Sequence, residues 1–421
     1  MLKLTAWFVI AWTISINLLI YNENENEKKM RNLSIGSLLV LSAVLTQPGI
    51  SSAAIDKFEP YAYAMVLHDT NIFRQSENEE DDTIGHLGAG FRSDYKLSRQ
   101  HLLFNGEVDR AQYDSEDQLD HTRVKGNGTW EWQLGNLWSG SLGATYQRRL
   151  SSFDEQPLVR EKDMRTEKTG FLNAGYQIHP DWRLAAGISS GDTSFQDRKF
   201  LDRTSTSGSF QVLYSNTRNS QVGARVSYSD YDLKNTVDVA GASIDNDYQE
   251  IGVSGVFYWE GSAKSTIEAS LGYTETHYED FDDRDYQGTS GRLIYHWILT
   301  GKTKLDIEAW RETSTLDDEI TSYVLTKGIS ISPVWSVTPL IDMRGSLSYT
   351  NDDFKAQNEV RQALGFQQRD DDTWRLAIST SWRPRKYLSL SVGYRYQDRS
   401  SSIDNIDYTD NQFDAKIQAQ F

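Results

Sequence analysis

The sequence predicts an all-β fold made of one long series of antiparallel strands, and three features support this prediction. Apolar and polar residues alternate with a period of two along many segments, which puts the two kinds of residue on opposite faces of a sheet. The segments are joined by connections that alternate between short turns and longer, acidic loops. From residue 54 onward, no change in composition, Pro-rich linker or charge block divides the chain.

The alternation is clearest at the C-terminus. Phe413, Ala415, Ile417, Ala419 and Phe421 alternate there with charged and amide residues. Comparable apolar stripes recur upstream and begin at Leu388, Trp374, Ile341, Ile267, Val222 and Val124. Counting such segments predicts about 18 strands. With an even number of up-and-down strands, the first strand begins and the last strand ends at the same end of the sheet.

The connections indicate how the strands follow one another. Short turns are predicted at Gly135-Asn136, His179–Asp181, Thr217–Asn219, Gly261-Ser262, Thr300-Gly301 and Arg383–Arg385. Longer acidic connections are predicted at Gln75–Asp82, Ser151–Asp163, Leu233–Asn246, Glu279–Asp285, Asn351–Asp371 and Asp398–Tyr408. This alternation is typical of an up-and-down barrel, which has tight turns at one end and longer loops at the other.

The composition of the 421 residues excludes several classes of protein. The net charge of −17 argues against a nucleic-acid-binding protein, because that class needs a basic face. The absence of cysteine excludes a disulfide scaffold, a thiol nucleophile and a Cys-ligated metal. Aromatic residues make up 12%, too many for a disordered acidic chain. A mean hydropathy of −0.59 excludes a membrane protein with many spanning helices.

The N-terminal region carries two apolar stretches with the character of targeting segments. Leu33–Leu45 follows a positive residue and precedes a run of small residues, which is the layout of a secretory signal peptide. We therefore expect residues 1–53 to be an upstream leader plus a signal peptide, with Met30 as the true start, and residues 54–421 to form an exported barrel. The earlier stretch, Leu4–Tyr21, is also just long enough to be an inner-membrane anchor.

The polar stripe carries too many charges for a dry protein core, because burying an unpaired charge is very costly. A closed barrel of about 16–18 strands encloses water instead. The sequence therefore predicts a single transmembrane antiparallel up-and-down β-barrel of about 18 strands with periplasmic termini, whose apolar stripe faces lipid. The residues predicted to line its lumen are Arg92, Asp94, Glu107, Asp109, Arg123, Arg225, Glu250, Glu268, Arg292, Asp306, Glu308, Asp342, Arg344, Arg375 and Arg395.

Aromatic residues on the apolar stripes predict the belts that anchor a barrel at the two lipid–water interfaces. The tryptophans predicted to stand beside short turns are Trp130, Trp132, Trp182, Trp259, Trp297, Trp335, Trp374 and Trp382. The tyrosines predicted to lie elsewhere on the stripes are Tyr146, Tyr214, Tyr228, Tyr273, Tyr349 and Tyr394. Charges of opposite sign on neighbouring strands, such as Glu107 with Arg92 and Asp342 with Arg375, predict pairs that brace the wall.

Motifs for catalysis and metal binding are weak. The seven histidines form no HExxH array, and Gly187–Gly191 approximates a nucleophile elbow only by composition, inside a strand pattern. The acidic run Asp280–Asp285 lacks the Gly and Glu of an EF-hand loop. We therefore predict no enzyme activity, no metal site and no cofactor. A barrel enzyme acting on a surface glycan or lipid is the alternative from another class.

The first predicted strand ends in an element that carries a resemblance, Asp69, Asn71, Phe73 and Arg74 within the run Asp-Thr-Asn-Ile-Phe-Arg. This element resembles the opening of the EpsL-type barrel porins of exopolysaccharide operons of the methanolan type. The similarity extends over residues 55–421. The terminal strand, with its aromatic residues at 413 and 421, also resembles the signal that the barrel-assembly machinery of Gram-negative bacteria reads.

The resemblance implies a passive aqueous channel for export of exopolysaccharide across the outer membrane. Outer-membrane lipid, the polysaccharide cargo, the barrel-assembly machinery and periplasmic polysaccharide-export proteins are the partners that it implies. The alternation alone predicts only a water-filled barrel, so a general or sugar-selective diffusion porin is the first alternative. Apart from the family, Asp and Asn favour turns, so Asp69, Asn71 and Arg74 also fit a structural brace of the first loop.

Overall fold

The computed structural model describes residues 57–154, 160–216, 220–234, 237–239, 242–244, 247–279, 285–314, 323–355 and 368–421. The predicted leader and signal peptide, 1–53, lie outside these residues, as do positions 280–284 of the acidic run. Two short 3₁₀ helices, Asp117–Leu119 and Lys199–Leu201, lie in connections between strands. Among the described residues, no helix is long and apolar enough to cross a membrane.

The described residues form twenty strands, of which eighteen belong to one antiparallel sheet. In chain order the strands are β1 (Lys57–Asp69), β2 (Asp82–Leu97), β3 (Gln100–Tyr113), β4 (His121–Leu134), β5 (Trp138–Leu150), β6 (Met164–His179), β7 (Trp182–Phe195), β8 (Arg203–Ser215), β9 (Gln221–Leu233), β10 (Val237–Val239), β11 (Ala242–Ile244), β12 (Tyr248–Ser262), β13 (Ser265–Tyr278), β14 (Tyr286–Ile298), β15 (Thr303–Ser314), β16 (Tyr323–Thr338), β17 (Ile341–Lys355), β18 (Asp370–Arg385), β19 (Leu388–Ser401) and β20 (Tyr408–Gln420). The short strands β10 and β11 pair with each other in the connection between β9 and β12.

The large sheet closes on itself. Each of its strands pairs with the next one along the chain, β9 pairs with β12, and β1 pairs with β20, where Tyr61 lies opposite Gln420 and Asp69 opposite Gln412. A closed sheet has no edge strand with unpaired backbone groups, which is the condition for a β-structure to span hydrocarbon. The predicted all-β antiparallel barrel of 18 strands is confirmed.

The two ends of the barrel differ in the length of their connections. Turns such as 98–99 and 386–387 lie at one end, whereas connections such as 151–163 lie at the other. The start of β1 and the end of β20 lie with the short turns, where the backbone N–H of Phe421 donates to the carbonyl oxygen of Pro60 at 2.9 Å. We refer to these as the short-turn end and the long-loop end.

Two predicted turns are wrong. Gly261-Ser262 belongs to β12, and the turn follows at 263–264. Arg383–Arg385 belongs to β18, and the turn follows at 386–387. Pro384 has no N–H to donate to a strand ladder. The register of the β18–β19 pairing shifts between Trp382 and Arg385, so the strand accommodates the proline in an irregularity instead of ending there.

Two aromatic residues lie elsewhere than predicted: the sequence predicts Trp374 beside a short turn, and Tyr214 away from the short turns. Trp374 lies near the start of β18, at the long-loop end, with its ring centroid 4.9 Å from that of Tyr349. Tyr214 lies near the end of β8, at the short-turn end, 5.2 Å from the ring of Trp182. Alternation assigns a residue to a face, but its depth in the membrane depends on the direction in which its strand runs.

The outward face of the barrel is apolar. Leu271, Val392 and Ile188 are 72%, 59% and 56% exposed, and similarly exposed apolar side chains recur on every second position of the strands. A contiguous apolar surface of this kind marks contact with an apolar environment. The outward face is therefore suited to contact with lipid, and the polar stripe faces inward.

Two inward-facing tyrosines lie flat on glycines of the neighbouring strand. Tyr61 and Tyr63 of β1 are opposite Gly90 and Gly88 of β2. A Cβ atom built on Gly88 would lie 2.6 Å from Cε1 of Tyr63, and one on Gly90 would lie 2.6 Å from the hydroxyl of Tyr61. Glycine at these two positions therefore leaves the space in which both rings pack against the wall.

Replacing Gly88 by valine is expected to lower the heat stability of the barrel, by about 1–3 kcal/mol, because the new side chain displaces the Tyr63 ring. The measurement is the temperature at which the folded, SDS-resistant form is lost on a gel. Gly85→Val is the matched control, since a Cβ there meets nothing closer than 3.9 Å. Equal melting of the two variants would contradict this packing.

Candidate functional site

The sequence-predicted lumen residues lie on the polar, inward face. On β2, for example, the exposed Leu87 and Phe91 alternate with Arg92 and Asp94. By the same alternation the structure places the following side chains on the inward face: Arg92, Asp94, Glu107, Asp109, Arg123, Arg225, Glu250, Glu268, Arg292, Asp306, Glu308, Asp342, Arg344, Arg375 and Arg395.

Contacts between strands that are not neighbours confirm which face is concave. The hydroxyl of Tyr61 on β1 donates to the carboxylate of Glu107 on β3 at 2.7 Å. Arg123 on β4 contacts His86 on β2 at 3.2 Å. Only the inner side of a closed sheet brings such side chains together, so this face encloses the lumen.

The strongest polar network of the wall is centred on Asp109, which is only 1% exposed. Its carboxylate accepts hydrogen bonds from Tyr63 at 2.7 Å and from Nε of Arg123 at 2.8 Å, and it contacts Nδ1 of His86 at 3.0 Å. The ammonium group of Lys416 lies 3.6 Å from the centroid of the Tyr63 ring. This network ties β1, β2, β3, β4 and β20 together, and its many partners compensate the burial of the charge.

Neither of the two predicted bracing pairs, Glu107 with Arg92 and Asp342 with Arg375, is an ion pair among the described residues. Glu107 accepts from Tyr61, and the guanidinium of Arg92 lies 5.0 Å from the centroid of the Tyr61 ring. Asp342 pairs with Arg383, because Asp342 lies opposite Ser381 in the β17–β18 ladder and Arg383 is the diagonal neighbour. Arg375 lies farther along β18 and donates to Thr350 at 3.2 Å.

Other charged side chains of the wall form ion pairs across neighbouring strands. Arg292 pairs with Glu308 at 2.6 Å and with Glu312 at 3.0 Å. Arg395 pairs with Asp414 at 3.2 Å. These pairs keep the side chains against the wall in a region open to water.

One sector of the wall has a charge of a single predominant sign. The inward positions of β5 to β9 carry the cations Arg149, Arg165, Arg183, Arg203 and Arg225. Within the described part of these strands the acid on the same face is Glu167, which pairs with Arg165 at 2.8 Å. We call this sector the basic wall. Sequence reasoning identified only Arg225 of this set, although reading the inward positions strand by strand would have found the others.

The family-like element at the end of β1 is a compact set of hydrogen bonds. The carboxylate of Asp69 accepts from the backbone N–H of Asn71 at 3.0 Å. The side-chain amide of Asn71 donates to the carbonyl oxygen of Gln75 at 2.7 Å and accepts from its N–H at 2.9 Å. Asn71 has no exposed surface, and its polar atoms are engaged by the protein itself.

The same element attaches the first loop to the last strand. Asn71 donates to the carbonyl oxygen of Thr409 at 3.1 Å, and Gln412 donates to Asp69 at 2.9 Å. Arg74 pairs with Asp69 at 3.0 Å through both terminal nitrogens and with Asp410 at 3.2 Å. We call this set, which crosses the junction of β1 and β20, the seam clasp.

Arg74 occupies an unfavourable backbone conformation in the clasp. Its φ of 56° lies in the left-handed region, which costs a non-glycine residue roughly 1 kcal/mol or more. Burial by itself would lower the pKa of Arg74, but its hydrogen bonds to Asp69 and the charges of Asp69 and Asp410 outweigh burial and raise it. The guanidinium therefore stays charged, and its ion pairs hold the strained loop in place.

Segments of the loops fold into the long-loop end and form a small apolar core there. Ile72, Phe73, Leu119 and Phe153 pack together, and the rings of Phe73 and Phe153 are 5.1 Å apart. These residues come from the β1–β2, β3–β4 and β5–β6 connections. We call them the mouth cluster.

The segment after β5 reaches the far side of the mouth cluster. The inward-facing Arg399 on β19 donates to the carbonyl oxygen of Asp154 at 2.8 Å and to that of Ile406 at 3.0 Å. In the sheet, β20, β1, β2, β3 and β4 separate β19 from β5. The β5–β6 connection therefore crosses part of the opening and narrows the long-loop end.

The remaining predicted site residues occupy other surfaces. Phe413 and Phe421 are 52% and 50% exposed, on and just after the last strand, so they are accessible from outside the barrel. Gly187–Gly191 lies within β7. In the described part of the chain, no group of three or more His, Asp or Glu side chains is placed to hold a metal ion.

Replacing Arg74 by glutamine is expected to lower the heat stability of the barrel. The change leaves Asp69 and Asp410 buried without their cation, a loss worth about 3–5 kcal/mol. Melting of the SDS-resistant form is the measurement. Lys57→Gln is the control, because its pair with Glu59 at 3.9 Å is exposed and worth about 0–1 kcal/mol. If the two variants melted alike, the clasp would not hold the loop.

The chain is similar to one protein family and to several solved barrels. A family model described as Putative beta-barrel porin 2 matches residues 182–421. Among solved structures, OccK1 (OpdK) of Pseudomonas aeruginosa aligns at 9% identity with a TM-score of 0.48, covering 88% of this chain and 100% of that chain. OccK2 (OpdF) of Pseudomonas aeruginosa aligns at 10% identity and a TM-score of 0.48, covering 89% and 100%.

OccAB3 of Acinetobacter baumannii aligns at 10% identity with a TM-score of 0.45, covering 87% of this chain and 98% of that chain. A search of curated proteins finds no match to the chain. The family model begins at the first residue of β7, ends at the last residue of the sequence and covers more than half of the chain. The chain therefore belongs to the Putative beta-barrel porin 2 family.

Proposed function

We propose that this porin-family barrel lies in the outer membrane of a Gram-negative bacterium and lets exopolysaccharide leave the cell through its lumen. The observation that carries the proposal is the inward face of the closed sheet, which is polar along the strands. Serine, threonine, asparagine, glutamine and charged side chains alternate there with the outward apolar residues. A hydrated polymer therefore meets hydrogen-bonding partners along the whole passage.

The chemistry of the wall suits a sliding polymer. Many of its ions already have partners, such as Arg292 with Glu308 and Arg395 with Asp414. Paired ions and hydroxyl groups offer weak, exchangeable hydrogen bonds to sugar hydroxyls and waters. Conduction requires binding that favours entry but releases the cargo, and the same balance applies to a saccharide.

The polysaccharide as cargo rests on the resemblance of the Asp69–Arg74 element to the EpsL-type porins. The channel is passive, and the driving force comes from periplasmic polysaccharide-export proteins as partners. Residues 1–53, as leader and signal peptide, deliver the chain to the periplasm, and the terminal strand is the signal for the barrel-assembly machinery. The start of β1 and the end of β20 lie at the short-turn end, which in this arrangement is periplasmic.

A diffusion porin for small sugars is the second candidate, and the mouth cluster favours it. The β5–β6 segment and the first loop fill part of the long-loop end, through Phe73, Phe153 and the contact of Asp154 with Arg399. An opening narrowed in this way selects solutes by size. The two candidates share one lumen and differ in the size of the cargo.

Liposomes containing the purified barrel are expected to swell in solutions of small sugars, with a size limit set by the mouth cluster. Phe153→Ala is expected to raise that limit, because it removes the ring that holds the β5–β6 segment against Phe73. Phe210→Ala, on the outward face, is the matched control. An unchanged limit in a folded Phe153→Ala variant would mean that the cluster does not narrow the passage, and no swelling with any sugar would contradict both candidates.

Deletion of the gene is expected to abolish secreted exopolysaccharide and leave the uptake of small sugars unchanged. The measurement is the polymer recovered from culture supernatant, compared with growth on limiting monosaccharide. The chromosomal gene restored in place is the control. Normal polymer secretion with impaired sugar uptake would favour the diffusion porin and contradict export.

A further inference from the structure

The basic wall contrasts with the charge of the chain as a whole. The protein carries a net charge of −17, yet the inward face of β5 to β9 presents five arginines against one glutamate. The single glutamate, Glu167, lies in the half toward the long-loop end, with Arg165 and Arg149. Arg183 and Arg225 lie in the half toward the short-turn end.

Arg183 lies flat against the wall with a neutral partner. Its Nη2 donates to the hydroxyl of Ser139 at 2.9 Å. A Cβ atom on Gly175 would lie 2.6 Å from its Nε, so the glycine leaves the space that the guanidinium occupies. Among the described residues, no carboxylate lies within ion-pair distance of Arg183.

Arg225 is held by an amide. Its Nε and Nη2 donate to the side-chain oxygen of Gln211 at 3.1 Å and 3.0 Å. Within the described ranges no carboxylate pairs with it either. In contrast, the lumen arginines Arg123, Arg292 and Arg395 each pair with a carboxylate.

Arg183 and Arg225 therefore keep their positive charges without a paired carboxylate, and each keeps N–H groups that can donate to a ligand. A guanidinium has five N–H donors in a planar fork that fits a carboxylate bidentately. Ser139 and Gln211 fix the orientation of the two guanidinium groups without neutralising them. Their remaining N–H groups are left for water or for an anionic ligand.

A cavity of about 600 Å³ lies along this part of the wall. Arg183, Arg225 and Gln211 line it together with Asn173 and Ser141, whose side chains are 3.3 Å apart. Its volume is in the range of small-molecule sites, in which a few polar groups fix the orientation of a ligand. The amide and hydroxyl groups supply partners for sugar hydroxyls beside the two cations.

The cavity contains one acidic side chain, and that side chain is already paired. Glu131 contacts Nδ1 of His101 at 2.9 Å, and Nε2 of the same ring contacts Asp94 at 2.8 Å. The histidine therefore stands between two carboxylates, and neither of them pairs with Arg183 or Arg225. An anion entering the cavity meets Arg183 and Arg225. It also meets Arg99, which donates to the side-chain oxygen of Asn136 at 2.9 Å and has no carboxylate partner among the described residues.

We propose that this part of the basic wall is a binding site for the carboxylate of an acidic sugar unit, with Arg183 and Arg225 as its ligands. The inference rests on the proposed passage of saccharide through the lumen and names the class of saccharide. Asn173, Ser141 and Gln211 bind the sugar hydroxyls. The site lies in the short-turn half, so cargo that enters from that end meets it before it reaches the mouth cluster.

The test uses the full-length barrel in detergent and a matched pair of ligands, galacturonate and galactose, which differ by a carboxylate at C6. Titration calorimetry is expected to show that galacturonate binds and that galactose binds at least about tenfold more weakly, since a hydrogen-bonded ionic contact is lost. Arg183→Gln and Arg225→Gln are each expected to weaken galacturonate binding about tenfold or more. The control Arg383→Gln removes an inward-facing arginine that has its own carboxylate, Asp342, and it is expected to change binding less than about twofold.

The SDS-resistant form of each variant shows that it is folded. Equal binding of the two sugars, or equal effects of Arg183→Gln and Arg383→Gln, would overturn the inference. Binding of acetate as strong as that of galacturonate would overturn the assignment of a sugar site. Conductance across a planar bilayer separates the two proposals. A barrel that conducts but does not bind galacturonate contradicts only this inference. A barrel that binds galacturonate but does not conduct contradicts only the proposed channel.

Discussion

The pairing of β1 with β20 is the constraint on which the rest of this structure depends. Without it, both strands would present a row of unpaired N–H and C=O groups, which hydrocarbon cannot satisfy. With it, the sheet has an inside and an outside, and alternation sorts the side chains between them. The seam is also where side-chain interactions concentrate. The Asp109 network spans β20, β1, β2, β3 and β4 on the wall, and the clasp of Asp69, Asn71 and Arg74 joins the first loop to β20.

The structure handles buried polar groups in two different ways. At the seam, Asp109 and Asn71 are fully enclosed, and each has several hydrogen-bond partners, because an unsatisfied buried group is costly. Elsewhere in the lumen, pairs such as Arg292 with Glu308 remain half-exposed, and water supplies their remaining hydrogen bonds. The first arrangement stabilises the closure and the loops, and the second leaves a passage lined by exchangeable hydrogen bonds.

The two ends of the lumen differ in how far side chains and loops fill them. At the long-loop end, the mouth cluster and the contact of Arg399 with Asp154 fill part of the opening near the seam. At the short-turn end, a sector of glycine, serine and arginine leaves a cavity against the wall. Under the two proposals above, this porin-family barrel has an anion-binding surface at one end and a size-limiting opening at the other. The basic wall lies away from the seam clasp, so a substitution can change one of them without changing the other.

The sequence by itself determined the fold class, the strand number and the face of almost every strand residue. The reason is that a period of two is a local property, so Arg92 and Asp94 beside Leu87 and Phe91 are sorted without knowledge of any neighbour. The depth of a residue in the membrane and the identity of its side-chain partner are not local properties. The sequence predicts Trp374 beside a short turn and Tyr214 away from the short turns, and both predictions are wrong because depth depends on the direction of the strand. Asp342 pairs with Arg383 because the register of β17 and β18 decides the diagonal contact.

Only the tertiary structure could join residues that are distant in the sequence. Asn71 meets Thr409, Phe73 meets Phe153, and Arg399 meets Asp154, because closure of the sheet brings the first and last strands together and the loops fold into one mouth. The basic wall has the same origin. Each of its arginines is a single charge on its own strand, and only the adjacency of β5 to β9 makes them one surface.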